Sequence, residues 1–433
     1  MRTSILTAIV VVAAAAAAPA QDVEQMRTLI ERQQAQLDRQ QRSIDRLRSR
    51  LDGDWMDERR AEQVKTLVRD VLADADARSA MLDSAITAGH DGAFFIASAD
   101  GNYRLNVKGM IQTRYIYSHQ ENAPDDDDRA GFDIGRTRFG FTGHIIDPSW
   151  HYVIWTGHHY NGDAMLLDVY IKKDLGENWS ATVGQFKLPL WREYLVSETK
   201  QQFVARSLLA GFSGKYTQGV KVEYKDEILH ATASFNDGGK NLNKKWNYED
   251  TDAGFTGRVE WLVFGDWKQY KQWESWRGEK PMLVLAAAAH YEWGESGTAD
   301  VEDDHFRWTA DASWELGGAN LFAAVIGDHV ENGQSSDRIG ALVQGGLFIN
   351  DKLELIARYE WADLDQSGDD TLSIATVGVN YFLAKHKARW TLDLGYAFEP
   401  VSDKLHSDFA GYREDSAGED GQVVVRTQVQ LLF

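Results

Sequence analysis

From residue 103 to its end the chain keeps a two-residue period. In "YRLNVKGMIQTRYIY" Tyr103, Leu105, Val107, Gly109, Ile111, Thr113, Tyr115 and Tyr117 share one face of an extended strand. Arg104, Asn106, Lys108, Gln112 and Arg114 share the other, with Met110. The last residues, "VVVRTQVQLLF", repeat the pattern: Val423, Val425, Thr427, Val429, Leu431 and Phe433 against Arg426, Gln428 and Gln430. A strand apolar on one side to its last residue needs an apolar partner, either a protein core or a lipid bilayer.

Sixteen such segments begin near residues 103, 132, 149, 164, 178, 215, 228, 252, 281, 303, 319, 338, 352, 371, 388 and 421. Each approaches the ~9–11 residues that a tilted membrane-spanning strand needs. The connections alternate in character. "IDPS", "DLGEN" and "DE" are short, whereas "ENAPDDDDRA", "GESGTADVEDD" and "DLDQSGDD" are longer and acidic. One stretch, 265–280, falls on the short side and is too long: either a small helix sits there or the count slips. No apolar run after residue 20 approaches the ~20 residues of a spanning helix. A mean hydropathy of −0.43 does not argue against spanning strands, whose alternation averages out. A β-sandwich would also keep one face of each strand uncharged. Three features favour lipid. The opposite face is polar in strand after strand. Aromatic residues sit at strand ends, as at Trp308, Trp314, Tyr359, Trp361, Trp390, Tyr396 and Phe398. And there are only 6 prolines to blunt open sheet edges. The expected fold over 102–433 is an all-β transmembrane barrel of about 16 antiparallel strands.

An α-helical coiled-coil segment precedes it. Residues 1–20, with Arg2, an apolar Ile5–Ala18 run and "APA", read as a signal peptide. Over 21–51 Val23, Ile30, Leu37, Ile44 and Leu51 recur every seventh residue, with Met26, Gln33, Gln40 and Leu47 as companions. Residues 52–101 hold a second helical stretch and a linker. The export signal places the mature chain beyond the inner membrane. With the barrel in the outer membrane of a Gram-negative-type cell, the rod lies in the periplasm. A net charge of −20 argues against nucleic acid as a partner, and the absence of cysteine excludes disulfides and thiolate metal sites.

The lumen face carries the candidate chemistry. Arg136 and Arg138 are two apart and face inward while Phe139 and Phe141 face lipid; Arg104, Lys108 and Arg114 join them from the neighbouring strand. No strand-interior acid on those two faces opposes the set. A guanidinium ladder would replace part of an anion's hydration. The alternative is that these arginines simply line a wet wall opposite acidic residues. The stretch "LPLWREYLVSETKQQFVARSLLAGFSG", 188–214, is too apolar for an exposed loop and reads as folding into the barrel to set the constriction. Lys187, Arg192, Lys200 and Arg206 are its candidate anion contacts, with Glu193 and Glu198 near enough to neutralise them. Later strands put Asp311, Glu315, Glu354, Glu360 and Asp393 on the same face as Arg307, Arg358, Arg389 and Arg426, so the far wall is mixed.

"FDIGRTRFGFTG" and "VGQFKLPLWREYLVSETKQQFVARSL" resemble the phosphate-selective porin O and P family, over about 103–433 and most strongly over 132–225. The resemblance implies a 16-stranded, usually trimeric, anion-passing channel. It extends residue by residue to Arg136, Arg138, Gln185, Lys187, Arg206 and Ser207. The N-terminal rod is not essential to that family; it is similar to periplasmic coiled coils that reach toward peptidoglycan. A structural tether between outer membrane and cell wall is the alternative function. No catalytic, cofactor or metal site is expected. "GHHY" places His158 and His159 on opposite strand faces, and "DDDD" at 125–128 reads as a solvated external loop near lipopolysaccharide. No catalytic motif is found.

Overall fold

The computed structural model describes residues 35, 36, 38–43, 62 and 65–70. From residue 86 to the C-terminus it describes all but 122, 124–126, 159–162, 240, 241, 247–251, 297–300, 303, 332–334, 367–369 and 415–420. Two compact units divide the chain, Met1–Leu82 and Asp83–Phe433. In the first, residues 38–43 and 65–70 are helical and exposed. The expected signal peptide and every apolar residue of the 21–51 seam lie outside the described residues.

The second unit is a closed barrel. Its strands are β1 (Arg104–His119), β2 (Asp128–His144), β3 (Trp150–His158), β4 (Ala164–Gly176), β5 (Trp179–Lys187), β6 (Tyr216–Lys225), β7 (Leu229–Asn236) and β8 (Ala253–Phe264). They continue with β9 (Met282–Trp293), β10 (Asp304–Glu315), β11 (Ala319–Glu331), β12 (Ser335–Phe348), β13 (Leu353–Asp363), β14 (Thr371–Phe382), β15 (Ala388–Ala397) and β16 (Gln422–Leu432). Every neighbouring pair is antiparallel, and β16 returns to β1 with Val423 opposite His119 and Leu432 opposite Met110. Sixteen strands were expected, and each begins within four residues of its expected start. Closure matters physically: a strand edge in hydrocarbon would leave every second backbone group unpaired.

The outward residues are the apolar ones of the sequence pattern. Ile171, Val183, Val220, Leu285, Trp308, Trp314, Leu355, Tyr359, Val377, Leu394, Tyr396 and Phe433 are all exposed on the protein's own surface. Phe433 extends the seam between β16 and β1. Its backbone N–H and C=O exchange hydrogen bonds with Gly109 (3.1 and 2.8 Å), continuing the seam by one residue. Its ring lies across the space where a Cβ at Gly109 would stand and meets Phe139 edge-on at 6.4 Å.

Two parts depart from the expected organisation. Residues 87–97, read as linker, form a hairpin, Thr87–His90 with Phe94–Ala97. The cause is a vacancy in the seam: β16 ends opposite Met110, so the first residues of β1 have a free edge. Phe94–Ala97 fills it, pairing with Arg104–Val107. The connection 265–281 does not reflect a slipped count. It carries a 3-10 turn at Gln269–Lys271 and folds inward, burying Tyr270, Trp273, Glu274, Ser275 and Trp276.

Gly109→Val should therefore displace the Phe433 ring and cost ~1–3 kcal/mol, as overpacking does. Gly131→Val, where a Cβ meets nothing, should be tolerated. Heat-modifiable mobility on gels after membrane extraction separates the two; equal folded fractions would contradict this packing.

Candidate functional site

The chain leaves β5 and turns into the lumen. Leu188 and Leu190 pack with Ala288 of β9. The Leu190 carbonyl accepts from Arg258 (3.0 Å) and from Thr309 (3.1 Å). The segment then winds through a short helical turn, Arg192–Leu195, and 3-10 turns at Glu198–Lys200 and Leu208–Gly211. Trp191, Leu208 and Leu209 join an apolar cluster with Phe322, Ile326, Leu342 and Ile374. Those last four lie on the nominally wet face of β11, β12 and β14. They are the loop's seat, and their apolar character at inward positions was the sequence signal for it.

Polar anchors complete the seat. Asp393 accepts from the Val204 N–H (2.9 Å) and Glu360 from the Leu208 N–H (2.6 Å). Glu354 accepts from Gln202 (2.9 Å), Asn380 donates to the Gln202 carbonyl (3.0 Å), and Arg358 donates to the Ala205 carbonyl (3.0 Å). A loop drawn into the lumen loses water from its backbone, and unpaired groups there would each cost ~1–3 kcal/mol. The acids expected on a mixed far wall do face inward, but Glu354, Glu360 and Asp393 hold the loop, and Glu315 accepts from Gln269 of the 265–281 connection (3.2 Å). Three have a cation: Arg258 with Asp311 (2.9 Å), Arg358 with Glu360 (3.3 Å), Arg426 with Asp393 (2.6 Å). Glu354, Glu360 and Asp393 expose 0% of their surface, so none of them lines an open passage.

A second loop, 398–414, closes over this half of the barrel. Val401, Leu405, Ala410 and Tyr412 join the same cluster. Its Phe409 ring lies under two guanidiniums, Arg114 at 3.7 Å and Arg136 at 4.2 Å.

The wall of β1 to β6 is different. There Arg104 and Lys172 keep 28% and 34% of their side chains exposed, and Lys108, Arg136, Arg138, Lys187, Lys221 and Glu223 are only partly buried. The structure brings four of the expected cations to one place. Arg136 (3.6 Å), Arg138 and Arg206 (3.0 Å) converge on the single carboxylate of Glu198. Lys187 donates to the Tyr194 carbonyl (2.9 Å), and the Arg206 guanidinium lies 4.4 Å over the Tyr194 ring. Asp168 approaches from β4 through Tyr216 (3.5 Å). Lys108, lower on the same wall, has no hydrogen-bond or ion-pair partner among the described residues.

The other expected contacts are placed elsewhere. Arg104 sits near the end of β1 with Asp91 (3.5 Å) and over Phe95 (4.1 Å). Arg114 is buried and pairs with Asp133 (2.9 Å). By the parity of Arg136 and Arg138 that acid would point outward. A β-bulge between the Gln112–Arg136 and Arg114–Asp133 pairs shifts the parity of β2 above it and turns Asp133 inward. Arg192 is turned away from the cluster, stacked on Tyr270 at 3.6 Å. Lys200 lies on the loop's lower side, where burial pushes its ammonium pKa down. Glu193, expected to neutralise these cations, accepts instead from Ser207, by its N–H (2.8 Å) and its hydroxyl (2.7 Å). Gln185 donates to the Leu167 carbonyl (2.6 Å), a structural contact. His158 meets Phe139 edge-on (5.8 Å), while His159 lies outside the described residues. No metal-holding cluster occurs among the described residues.

A closed sixteen-stranded barrel with an infolded loop and a charged passage along one wall defines an outer-membrane porin, a channel for passive diffusion of small hydrophilic solutes. Residues 106–260, running from β1 into β8, match the sequence profile of the family phosphate-selective porin O and P, so the resemblance read from the sequence is borne out. The barrel is similar to the anion-selective porin of Comamonas acidovorans, with TM-score 0.56 and 12% identity over 76% of this chain and 99% of that one. It is similar to outer-membrane expressed OmpT of Vibrio cholerae, with TM-score 0.54 and 13% identity over 77% and 98%. It is also similar to the outer membrane channel DcaP of Acinetobacter baumannii, with TM-score 0.52 and 12% identity over 76% and 98%. No curated protein matches the chain.

Asp393→Ala would leave the Arg426 guanidinium buried without its carboxylate and remove the acceptor for Val204. Breaking a buried pair on one side costs ~3–5 kcal/mol. Thermal unfolding in detergent should fall accordingly, with Asp393→Asn retaining part of the loss; an unchanged midpoint would contradict the anchoring.

Proposed function

We propose that this porin prefers anions and that the preference is set on the β1–β6 wall. One observation carries the reading: Glu354, Glu360 and Asp393 of the far wall are sealed under the loop, while the near wall keeps cations that are partly exposed. At the cluster around Glu198, Arg136, Arg138, Lys187 and Arg206 face two carboxylates, Glu198 and Asp168. A guanidinium offers an oxyanion charge-assisted hydrogen bonds in place of lost water. Lys108, Lys172 and Lys221 extend the positive wall along the strands. Phosphate fits this chemistry, as does any small oxyanion. The family match and the anion-selective relative support the reading.

Two wider assignments go with it. A homotrimer is favoured by the trimer form described for OmpT of Vibrio cholerae. The 21–51 heptads favour a periplasmic rod that spaces or tethers the outer membrane toward peptidoglycan, with lipopolysaccharide around the external rim. The tether is then an added role of a conducting channel and not its alternative.

Reversal potentials in a salt gradient test the anion assignment. Arg136→Ala with Arg138→Ala should bring the anion-to-cation permeability ratio several-fold toward one, whereas Glu198→Gln should raise it. An unmoved ratio in both would sink the assignment. Removing residues 21–51 should loosen envelope attachment, measured by outer-membrane blebbing, and leave single-channel conductance unchanged; a silent channel would contradict that separation.

A further inference from the structure

We infer that the connection between β8 and β9, residues 265–281, is a selectivity element: it enters the lumen from the end opposite the constriction loop and fixes that loop against the far wall, with Trp273 as its positioning residue. The inference rests on the porin reading above.

The connection does not behave as a turn. Turns at that end need only two to five residues, as at 177–178 and 226–228. This one starts at β8 and reaches β15. Trp267 donates to the Asp226 carbonyl (3.0 Å) beside β6. The Tyr270 hydroxyl donates to Glu260 (3.1 Å) on β8. Glu274 takes Arg389 of β15 (3.0 Å). Trp276 lies against Phe348 (5.1 Å) and Phe382 (4.9 Å), at the ends of β12 and β14. Gly317, in the turn after β10, donates to the Ser275 hydroxyl (2.9 Å). The segment is therefore strung under the whole filled half of the lumen.

Its middle meets the constriction loop. Trp273 donates from Nε1 to Gln201 Oε1 (3.1 Å), and its ring tilts onto Phe322 at 4.6 Å, within the same apolar cluster as Trp191 and Leu209. Gln201 in turn donates to the carbonyls of Glu193 (2.8 Å) and Val196 (3.1 Å). Those residues flank Glu198 and Lys200. The Arg192 guanidinium, stacked over Tyr270 and 5.1 Å from the Trp273 ring, donates to the Tyr270 carbonyl. The carboxylate that gathers Arg136, Arg138 and Arg206 thus stands on a segment held from below by two aromatic residues. Without that support the loop keeps its anchors to the barrel wall, among them those to β13, β14 and β15, and loses its contact from below. A loop free to tip would open a route along the far wall, past acids that are now sealed.

Trp273→Ala in the full-length porin tests this, with Trp273→Phe as the variant that keeps the ring and loses the Nε1 donor. Planar-bilayer recording should show conductance raised about two-fold or more in Trp273→Ala, noisier open states, and a permeability ratio moved toward cations. Trp273→Phe should lie between it and wild type. Heat-modifiable mobility confirms that each barrel has formed. Should Trp273→Ala fail to assemble, a replacement of 268–276 by a short Gly-Ser turn gives the same readings. Wild-type conductance and wild-type selectivity in an assembled barrel would overturn the inference. The two proposals fail separately: a wild type without anion preference would refute the anion assignment, while a changed conductance would still report the support.

Discussion

A hydrocarbon environment offers no partner to a peptide group, and that constraint governs the whole molecule. It requires a ladder with no end, so β16 must find β1. The bond exchange between Phe433 and Gly109 is the last rung. The same rule makes the lumen the one place where irregular backbone is tolerated, because protein side chains can replace water there. Three segments exploit this, the loop after β5, the loop after β15 and the connection after β8.

The infolded segments divide the interior into two chemically distinct halves. One resembles a globular core: Trp191, Phe322, Leu342 and Ile374 packed together, with ion pairs such as Arg426 and Asp393 enclosed among them. The other remains a wet wall of strand residues. Buried ion pairs add little net stability. Their value here is geometric, since carboxylates such as Glu360 and Asp393 can accept loop N–H groups while paired with guanidiniums. The acidic residues of the far wall are thereby spent on architecture.

Much of this was legible from alternation alone. Strand number, strand positions, closure and the inward turn of 188–214 follow from period and polarity. Arg136, Arg138, Lys187 and Arg206 were identified by parity and by resemblance. What escaped needed three dimensions. A single extra residue in β2 reversed the parity above Gln112, so Asp133 emerged as the partner of Arg114. The mixed far wall was read correctly as composition and wrongly as surface, because the charged residues themselves do not show that a distant loop buries them. Inward apolar residues, Phe322 and Ile374 among them, were the mark that was present. The 265–281 stretch announced itself only by excess length and its aromatic content.

The off-centre passage also separates two properties often taken together. A chain carrying −20 overall would be expected to repel anions at a distance. Yet at physiological ionic strength exposed charges are screened within about 8 Å, so acidic loops and lumen guanidiniums further apart than that act on a solute independently. The isoelectric point of such a channel is therefore no guide to the sign of the current it carries.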